Sequence, residues 1–406
     1  MSAARPLRTL LFSTLYPSSA RPVHGIFVET RLRELLKGGG VETRVVAPVP
    51  WFPSTDPRWG EYARMARTPE AETRHGVPVL HPRYLLLPKV GMTLAPFAMA
   101  AASIGPIRRL IAEGFDFDLI DAHYYYPDGV AAALIARQLG KPLTITARGT
   151  DLNLIPRYAV PRRMMQWAAR QAQASIGVCS ALVDVLRGWQ VAPSRLHVMR
   201  NGVDLERFRP LLREECRREL GVQGEPLLLS VGLLIERKGH HLVIEALARL
   251  RQQLPGARLV IVGEGEERAR LQALVDSLGL REAVQLAGAV PNDQMARWYS
   301  AADLLVLASS REGWANVLLE SMACGTPVVA SRIWGTPEVV AQPVAGTLFD
   351  PRTAEALAAA VSAQWQSMPE RQAVRAYAQG FGWEATSRAQ RELFSALAAG
   401  EGACAT

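Results

Sequence analysis

The sequence predicts an α/β protein built of two doubly wound domains, and three observations carry that prediction. At 406 residues the chain is longer than one ordinary domain. Its 49% apolar and 21% charged residues are the composition of a soluble, folded chain. Short apolar runs alternate with helix-period segments twice over, the pattern of buried parallel strands joined by crossover helices.

In the first half the alternation predicts strands over 7–14, 42–47, 118–122, 143–147 and 175–179, with helices over 26–37, 92–113, 128–139 and 180–187. In the second half it predicts strands near 226–231, 257–262, 284–287, 303–307 and 327–330, with helices near 239–251, 266–278, 292–301, 316–323 and 353–366. A doubly wound sheet presents its ligand edge at the carboxyl ends of its strands, so ligand is expected in the cleft between the two blocks. The boundary is placed at 204–222, where Pro210 and the charged stretch 213–219 interrupt the pattern, giving domains 1–205 and 206–380. Residues 370–398 read as closing helices, and the end of the chain as a frayed tail.

Charge is unevenly divided. Residues 1–205 carry 25 Lys or Arg against 15 Asp or Glu, while residues 206–406 carry 21 against 23. An anionic surface or substrate is therefore expected on the N-terminal side. Nucleic acid is not expected, because no aromatic-interleaved basic motif or recognition-helix pattern accompanies the charge. There is no signal-peptide pattern and no run of about 20 apolar residues, which points to a cytoplasmic protein. Cys179, Cys216, Cys324 and Cys404 lie far apart without metal-ligand spacing and read as reduced thiols. One segment, 79–115, sets Leu85, Leu86, Leu87, Met92, Phe97 and Met99 among Arg83, Lys89, Arg108 and Arg109. It reads equally well as a membrane-facing or lipid-acceptor surface and as a buried helix with a long entry loop.

The most informative stretch is 311–331, REGWANVLLESMACGTPVVAS. It sets Glu312 and Glu320 eight positions apart, the first on a loop followed by Gly313, the second inside an apolar helix. Two glutamates so spaced are commonplace on solvated helix faces. Here the helix is apolar almost all round, and a carboxylate in such a place needs a partner. The helix start near 315–317 offers unpaired N–H groups suited to a phosphate-bearing ligand, with the carboxylates on either side able to accept from hydroxyls.

This stretch resembles the signature of the retaining glycosyltransferases of family 4, enzymes of the GT-B fold that use nucleotide-sugar donors. Further segments agree in order: YPSSARPVHGIFVE (16–29), DAHYYYPDG (121–129), ARGTD (147–151), NGVD (201–204), VGLLIERKGH (231–240), VGEGEE (262–267) and GTPEVV (335–340). The resemblance spans nearly the whole chain. It implies two Rossmann-like domains facing across a cleft, with a last helix, about 382–398, returning to the N-terminal domain.

The resemblance also implies roles. Glu312 would hydrogen-bond sugar hydroxyls near the reacting carbon and Glu320 the ribose hydroxyls. Asn316 and the backbone of Gly313, Trp314, Ala315 and Val317 would complete the sugar pocket. Gly263 and Val290 would border the nucleobase. Lys238, after the strand LLLSVG, is the best candidate for the cation that steadies a departing diphosphate. Relatives commonly carry Arg directly after the glycine of that strand, where this chain has Leu233. Either Arg237 replaces it or Lys238 works with backbone N–H groups alone. His123, at a strand end, would orient the donor sugar. Gly25 would let backbone N–H groups approach the donor phosphates or the acceptor. Arg148, where relatives often have His, would bind an anionic group or pair with Asp151. Asp116-Phe117-Asp118 resembles a metal motif but sits at an ordinary loop-to-strand edge, so neither a metal nor a cofactor is expected.

The function these residues imply is retaining, metal-independent glycosyl transfer from a nucleotide-sugar to a lipid-linked or saccharide acceptor. The setting implied is envelope polysaccharide or glycolipid assembly, with the basic N-terminal half on an anionic inner membrane face. A nucleotide-sugar epimerase or phosphorylase on the same fold, and a non-catalytic sugar-nucleotide-binding or membrane-bound scaffold, are the alternatives. A NAD-dependent dehydrogenase is disfavoured because no complete G-x-G-x-x-G follows the first strand.

Overall fold

A computed structural model describes residues 5–86 and 91–400. Leu87 and Lys89 of the apolar segment, Cys404 and the last six residues lie outside the described residues. The chain divides into two compact units, Met1–Arg200 with Glu384–Thr406, and Asn201–Trp383.

The first unit is built on an eight-stranded sheet. From one edge to the other it runs Leu196–Val198, Ala174–Gly177, Leu143–Ala147, Leu119–His123, Leu7–Phe12, Val41–Val46, Val77–Leu80 and Ala71–Arg74. All pairs are parallel except the last, a hairpin turned at His75 and Gly76, both with positive φ. The order reverses between Leu7–Phe12 and Leu119–His123, which makes their carboxyl ends the switch point at which such sheets bind ligands. The closing helix Trp383–Ala398 contributes Leu393, Phe394 and Leu397 to a cluster with Leu35, Leu119, Ile176 and Met199. Phe394 is fully buried there, a burial worth roughly 1.5–3 kcal/mol.

The second unit carries a six-stranded, wholly parallel sheet in the order Val284–Gly288, Arg258–Val262, Leu227–Val231, Leu304–Leu307, Val328–Ser331 and Gly346–Phe349. Its core joins Leu228, Leu259, Ile261, Leu304 and Val329 from the strands to Val243, Leu247, Leu271 and Leu357 from the helices. Its switch point lies between Leu227–Val231 and Leu304–Leu307.

The structure differs from the sequence reading in several places. The chain changes unit after Arg200, before the stretch 204–222. Residues 201–208 are already tied to the second unit, because Val203 N–H donates to the Phe381 carbonyl and Arg375 donates to the carbonyls of Leu205 and Phe208. The charged stretch after Pro210 is a helix, Arg213–Leu220, held by Arg213 and Arg217 at 2.8 Å from the buried Asp303 carboxylate. The strands Ala71–Arg74, Val77–Leu80, Leu196–Val198 and Gly346–Phe349 and the helix Ala159–Gln171 were not in the predicted set. Each of those strands is short and carries a polar residue, a glycine or a proline, so none is an unbroken apolar run like Leu304–Leu307. The segment 79–115 supplies a helix, Gly91–Ala112, whose Ala95, Met99, Ser103 and Ile107 are buried while Met92, Leu94 and Phe97 stay about half exposed.

Candidate active site

At the switch point of the second unit, the turn Glu236–Lys238 follows strand Leu227–Val231, and the loop 308–315 follows strand Leu304–Leu307. Backbone bonds lock the two together: Ser310 N–H donates to the Arg237 carbonyl at 2.8 Å, and Arg237 Nη1 donates to the Arg311 carbonyl at 2.8 Å. The result brings Lys238 and Glu312 into direct contact, Nζ to Oε1 at 2.6 Å, with Arg237 Nη1 3.7 Å from Oε2. Glu312 is buried. Burial alone would raise its pKa, but the Lys238 and Arg237 charges outweigh that and hold it below the usual carboxylate range. Leu233 is 61% exposed, and Arg237 is the cation that stands with Lys238 beside Glu312.

Gly313, Trp314 and Ala315 are buried and lead into helix Asn316–Ala323, whose Asn316, Val317 and Glu320 are half-buried. Asn316 and Glu320 are one turn apart and share a face. Asn316 Oδ1 accepts from Asn201 Nδ2 at 3.2 Å, and Glu320 Oε2 accepts from the Tyr299 hydroxyl at 2.7 Å. Burial raises the Glu320 pKa, against the pull of the Tyr299 bond and Arg207. Gly263 follows strand Arg258–Val262 with φ 151°, and a Cβ there would stand 1.8 Å from the Gly232 carbonyl oxygen. Its conformation is thus dictated by the close approach of two neighbouring loops. Val290 is half-buried in the loop after Val284–Gly288.

In the first unit, His123 ends strand Leu119–His123 and is 1% exposed. Its Nε2 lies 3.0 Å from Asp121 Oδ2, and its Nδ1 meets the Arg148 guanidinium. Because Arg donates only, Nδ1 is the acceptor and Nε2 carries the proton. Burial, helped by the Arg148 charge, pushes the His123 pKa down to about 4 in spite of Asp121, so the ring is neutral at neutral pH. Both nitrogens are engaged inside the protein.

Asp121 also accepts from Thr144 Oγ1 at 3.1 Å and from Gln390 Nε2 at 3.3 Å, while Gln390 Oε1 accepts from Arg31 Nε at 2.9 Å. Burial would raise the Asp121 pKa, but His123, Arg31 and Thr144 lower it. Asp151 is held by backbone N–H groups of Tyr125 at 2.9 Å, Gly149 at 2.7 Å and Arg148 at 3.1 Å. The Arg148 guanidinium also lies 5.5 Å from the Phe27 ring centroid. Gly25 caps helix Ile26–Lys37 in the left-handed conformation, where a Cβ would stand 2.3 Å from the Leu15 carbonyl oxygen.

Sequence reasoning missed Asp121, Arg31, Gln390 and Tyr299. Arg31 and Gln390 are 359 positions apart, and only the fold joins them. Asp121 sits inside the quoted DAHYYYPDG, and a carboxylate within an apolar strand is a signal that it is paired. Asp116 and Asp118 lie before the amino end of strand Leu119–His123, opposite its ligand edge, where Lys141 pairs with Asp116 and Arg5 with Asp118. Among the described residues, no group of three or more His, Cys, Asp or Glu is placed to hold a metal ion, and no helix is long and apolar enough to cross a membrane.

Comparison with known proteins bears on the family and the fold. The family model for glycosyl transferases group 1 matches residues 213–381, and that for glycosyltransferase family 4 matches residues 28–207. TuaC of Bacillus subtilis (strain 168), named for a glycosyltransferase of teichuronic acid biosynthesis, is 30% identical over 366 residues, covering 88% of each chain. D-inositol 3-phosphate glycosyltransferase 1 of Catenulispora acidiphila is 31% identical over 395 residues, covering 90% of this chain and 92% of its own. Among solved structures, sucrose-phosphate synthase from Thermosynechococcus elongatus superposes with a TM-score of 0.76 at 22% identity, covering 98% of this chain and 100% of its own. Anabaena HepE in complex with UDP and glucose does so with a TM-score of 0.73 at 20% identity, covering 96% and 100%. The fold is therefore GT-B, and the chain belongs to the group 1 glycosyltransferases.

Proposed function

We propose that this glycosyltransferase is retaining and metal-independent. It moves a sugar from a nucleotide-sugar bound by the second unit to a hydroxyl of a lipid-linked or saccharide acceptor bound by the first. The work belongs to envelope polysaccharide or glycolipid assembly, in the cytoplasm at the inner membrane face. The observation that supports this reading best is the buried Lys238–Glu312 pair at the switch point, with Arg237 beside it.

In this reading Lys238 and Arg237 stabilise the negative charge that grows on the departing diphosphate, an effect on the order of 2–4 kcal/mol for one well-placed donor. Glu312 accepts from sugar hydroxyls, and its own ionisation is secured by the same two cations. Glu320, positioned by Tyr299, accepts from the ribose hydroxyls, while Gly263 and Val290 border the base. The bond from the anomeric carbon to the diphosphate breaks as the bond to the acceptor oxygen forms on the same face. The departing phosphate oxygen takes the acceptor proton. That assignment leaves His123 no proton to move, in keeping with its neutral, doubly engaged ring. HepE, of the same fold, is described in complex with UDP-glucose, which favours a nucleotide-sugar donor here.

A thermal-shift screen against UDP-, GDP-, ADP- and dTDP-sugars, with and without EDTA, tests the reading. Stabilisation by one nucleotide-sugar that survives EDTA is expected. Stabilisation by none of them overturns the donor class, and stabilisation abolished by EDTA overturns metal independence.

A further inference from the structure

The first unit holds an apolar groove of about 320 Å³ that the mechanism above does not use. It is lined by Phe97 of helix Gly91–Ala112, Val130 and Leu134 of helix Val130–Leu139, and Arg163, Met164 and Trp167 of helix Ala159–Gln171. Val130 and Leu134 are one turn apart, as are Arg163 and Trp167, so each helix turns one face to the groove. Phe97 stays 48% exposed on its rim, and Leu94, three positions before it on the same helix and 50% exposed, extends the apolar surface. An exposed apolar surface of this kind marks a binding surface.

Two features define the occupant. All the lining residues but Trp167 lie in the amino-terminal halves of their helices, and two of these helices leave the carboxyl ends of sheet strands. Helix Val130–Leu139 follows strand Leu119–His123, and helix Ala159–Gln171 follows strand Leu143–Ala147 by way of the loop that carries Arg148 and Asp151. The Tyr126 hydroxyl donates to the Met92 carbonyl and ties the third helix to the same edge. The lined halves are thus the ones nearer the edge at which the first unit presents ligands. The second feature is charge. Segments 73–112, 129–150 and 152–183, which supply all three helices, carry 12 Lys or Arg and no Asp or Glu. Arg163, which lines the groove, is exposed, so a hydrocarbon chain lying in it would set its anionic end against a cation.

We infer that this groove seats the hydrocarbon chain of an anionic, lipid-linked acceptor. The inference rests on the glycosyl-transfer reading and narrows its acceptor class. Isothermal titration of the full chain with butyl, octyl and dodecyl phosphate, each below its micellar concentration, tests it. Dodecyl phosphate should bind at least ~30-fold more tightly than butyl phosphate, because each added methylene is buried in the groove. Leu134→Trp, which fills the groove, should weaken dodecyl phosphate at least ~10-fold and leave the thermal shift by nucleotide-sugars unchanged. Arg163→Glu, a change at an exposed position that does not endanger the fold, should weaken it at least ~5-fold. Equal affinity at all chain lengths, or dodecyl affinity untouched by both variants, overturns the inference. Binding seen only with phosphatidylglycerol vesicles and surviving both variants also overturns it, in favour of docking to the bilayer surface. The donor screen is independent: its failure sinks the transfer reading whatever the titrations give, and failure of the titrations leaves the donor assignment standing.

Discussion

Two clusters of buried charge, one in each unit, are wired differently. In the first, Arg31, Gln390, Asp121, His123 and Arg148 form one continuous chain of side chains, and both nitrogens of His123 are spent inside it. In the second, Lys238 uses one of its three donors on Glu312, and Glu320 uses one oxygen on Tyr299. The first network ties a sheet edge to the closing helix, although the buried Arg31 Nη2 is left without a hydrogen-bond partner. A pair that keeps donors and acceptors in reserve can exchange them for those of a ligand. Glu312 and His123 are both buried, but both His123 nitrogens are engaged within the protein, while Lys238 keeps donors beyond the one given to Glu312.

Substitutions that strike the two regions should separate activity from stability. Glu312→Ala is expected to have the largest effect, lowering the transfer rate by about 10³-fold or more in a fixed-donor assay. Its donor affinity, followed by thermal shift, should fall less than that of Glu320→Ala. Equal loss of affinity in the two variants would erase the division of roles between the glutamates. Asp121→Ala should act in the opposite sense. It leaves Arg31 buried without its countercharge and deprives His123, Thr144 and Gln390 of an acceptor, at a cost of about 3–5 kcal/mol in urea unfolding. Its nucleotide-sugar affinity should stay near that of the parent at temperatures where it is folded. Tyr299→Phe, which removes only the hydroxyl that positions Glu320, should weaken donor binding by roughly 3- to 10-fold, the worth of one hydrogen bond. An unchanged affinity would mean that Glu320 holds its position without Tyr299.

The sequence made the repeated α/β alternation legible because fully buried strands are short apolar runs, and Leu227–Val231 and Leu304–Leu307 stand out on that ground alone. The Glu312 and Lys238 candidates were legible from residue type and strand-end position. Their 2.6 Å contact was not, since 74 positions separate them and only the adjacency of two strands in the sheet joins them. The same holds more strongly for Arg31 and Gln390, whose pairing depends on the closing helix packing against the first unit. His123 shows the converse limit. Its strand-end position suggested a site role, while the residues that engage its nitrogens lie two positions before it and 25 after it. Asp121 was in view all along: residues two apart on a strand face the same side, so a strand running to His123 already sets that carboxylate beside the imidazole.

A last expected effect concerns Asp128, which anchors the loop after the first strand and sharpens the same contrast. Its carboxylate accepts from the backbone N–H of Thr14 and, at 3.1 Å, from the Thr14 hydroxyl, and it is fully buried. Burial pushes its pKa up to about 7, against the lowering effect of the two Thr14 bonds. An aspartate in the unfolded chain titrates near ~3.9. Between those values the folded protein holds a proton that the unfolded chain has released, so unfolding free energy falls as pH rises through this window and levels off above it. The slope from this one group is at most ~1.4 kcal/mol per pH unit. Asp128→Asn keeps an oxygen for the Thr14 N–H, offers an amide N–H to its hydroxyl, and does not titrate. Urea unfolding at pH 4.5, 5.5, 6.5 and 7.5 should therefore show a parent protein that loses stability relative to the Asn variant as pH rises. Parallel pH profiles would show instead that Asp128 is ionised throughout, and that the first unit tolerates a buried charge stabilised by the Thr14 donors alone.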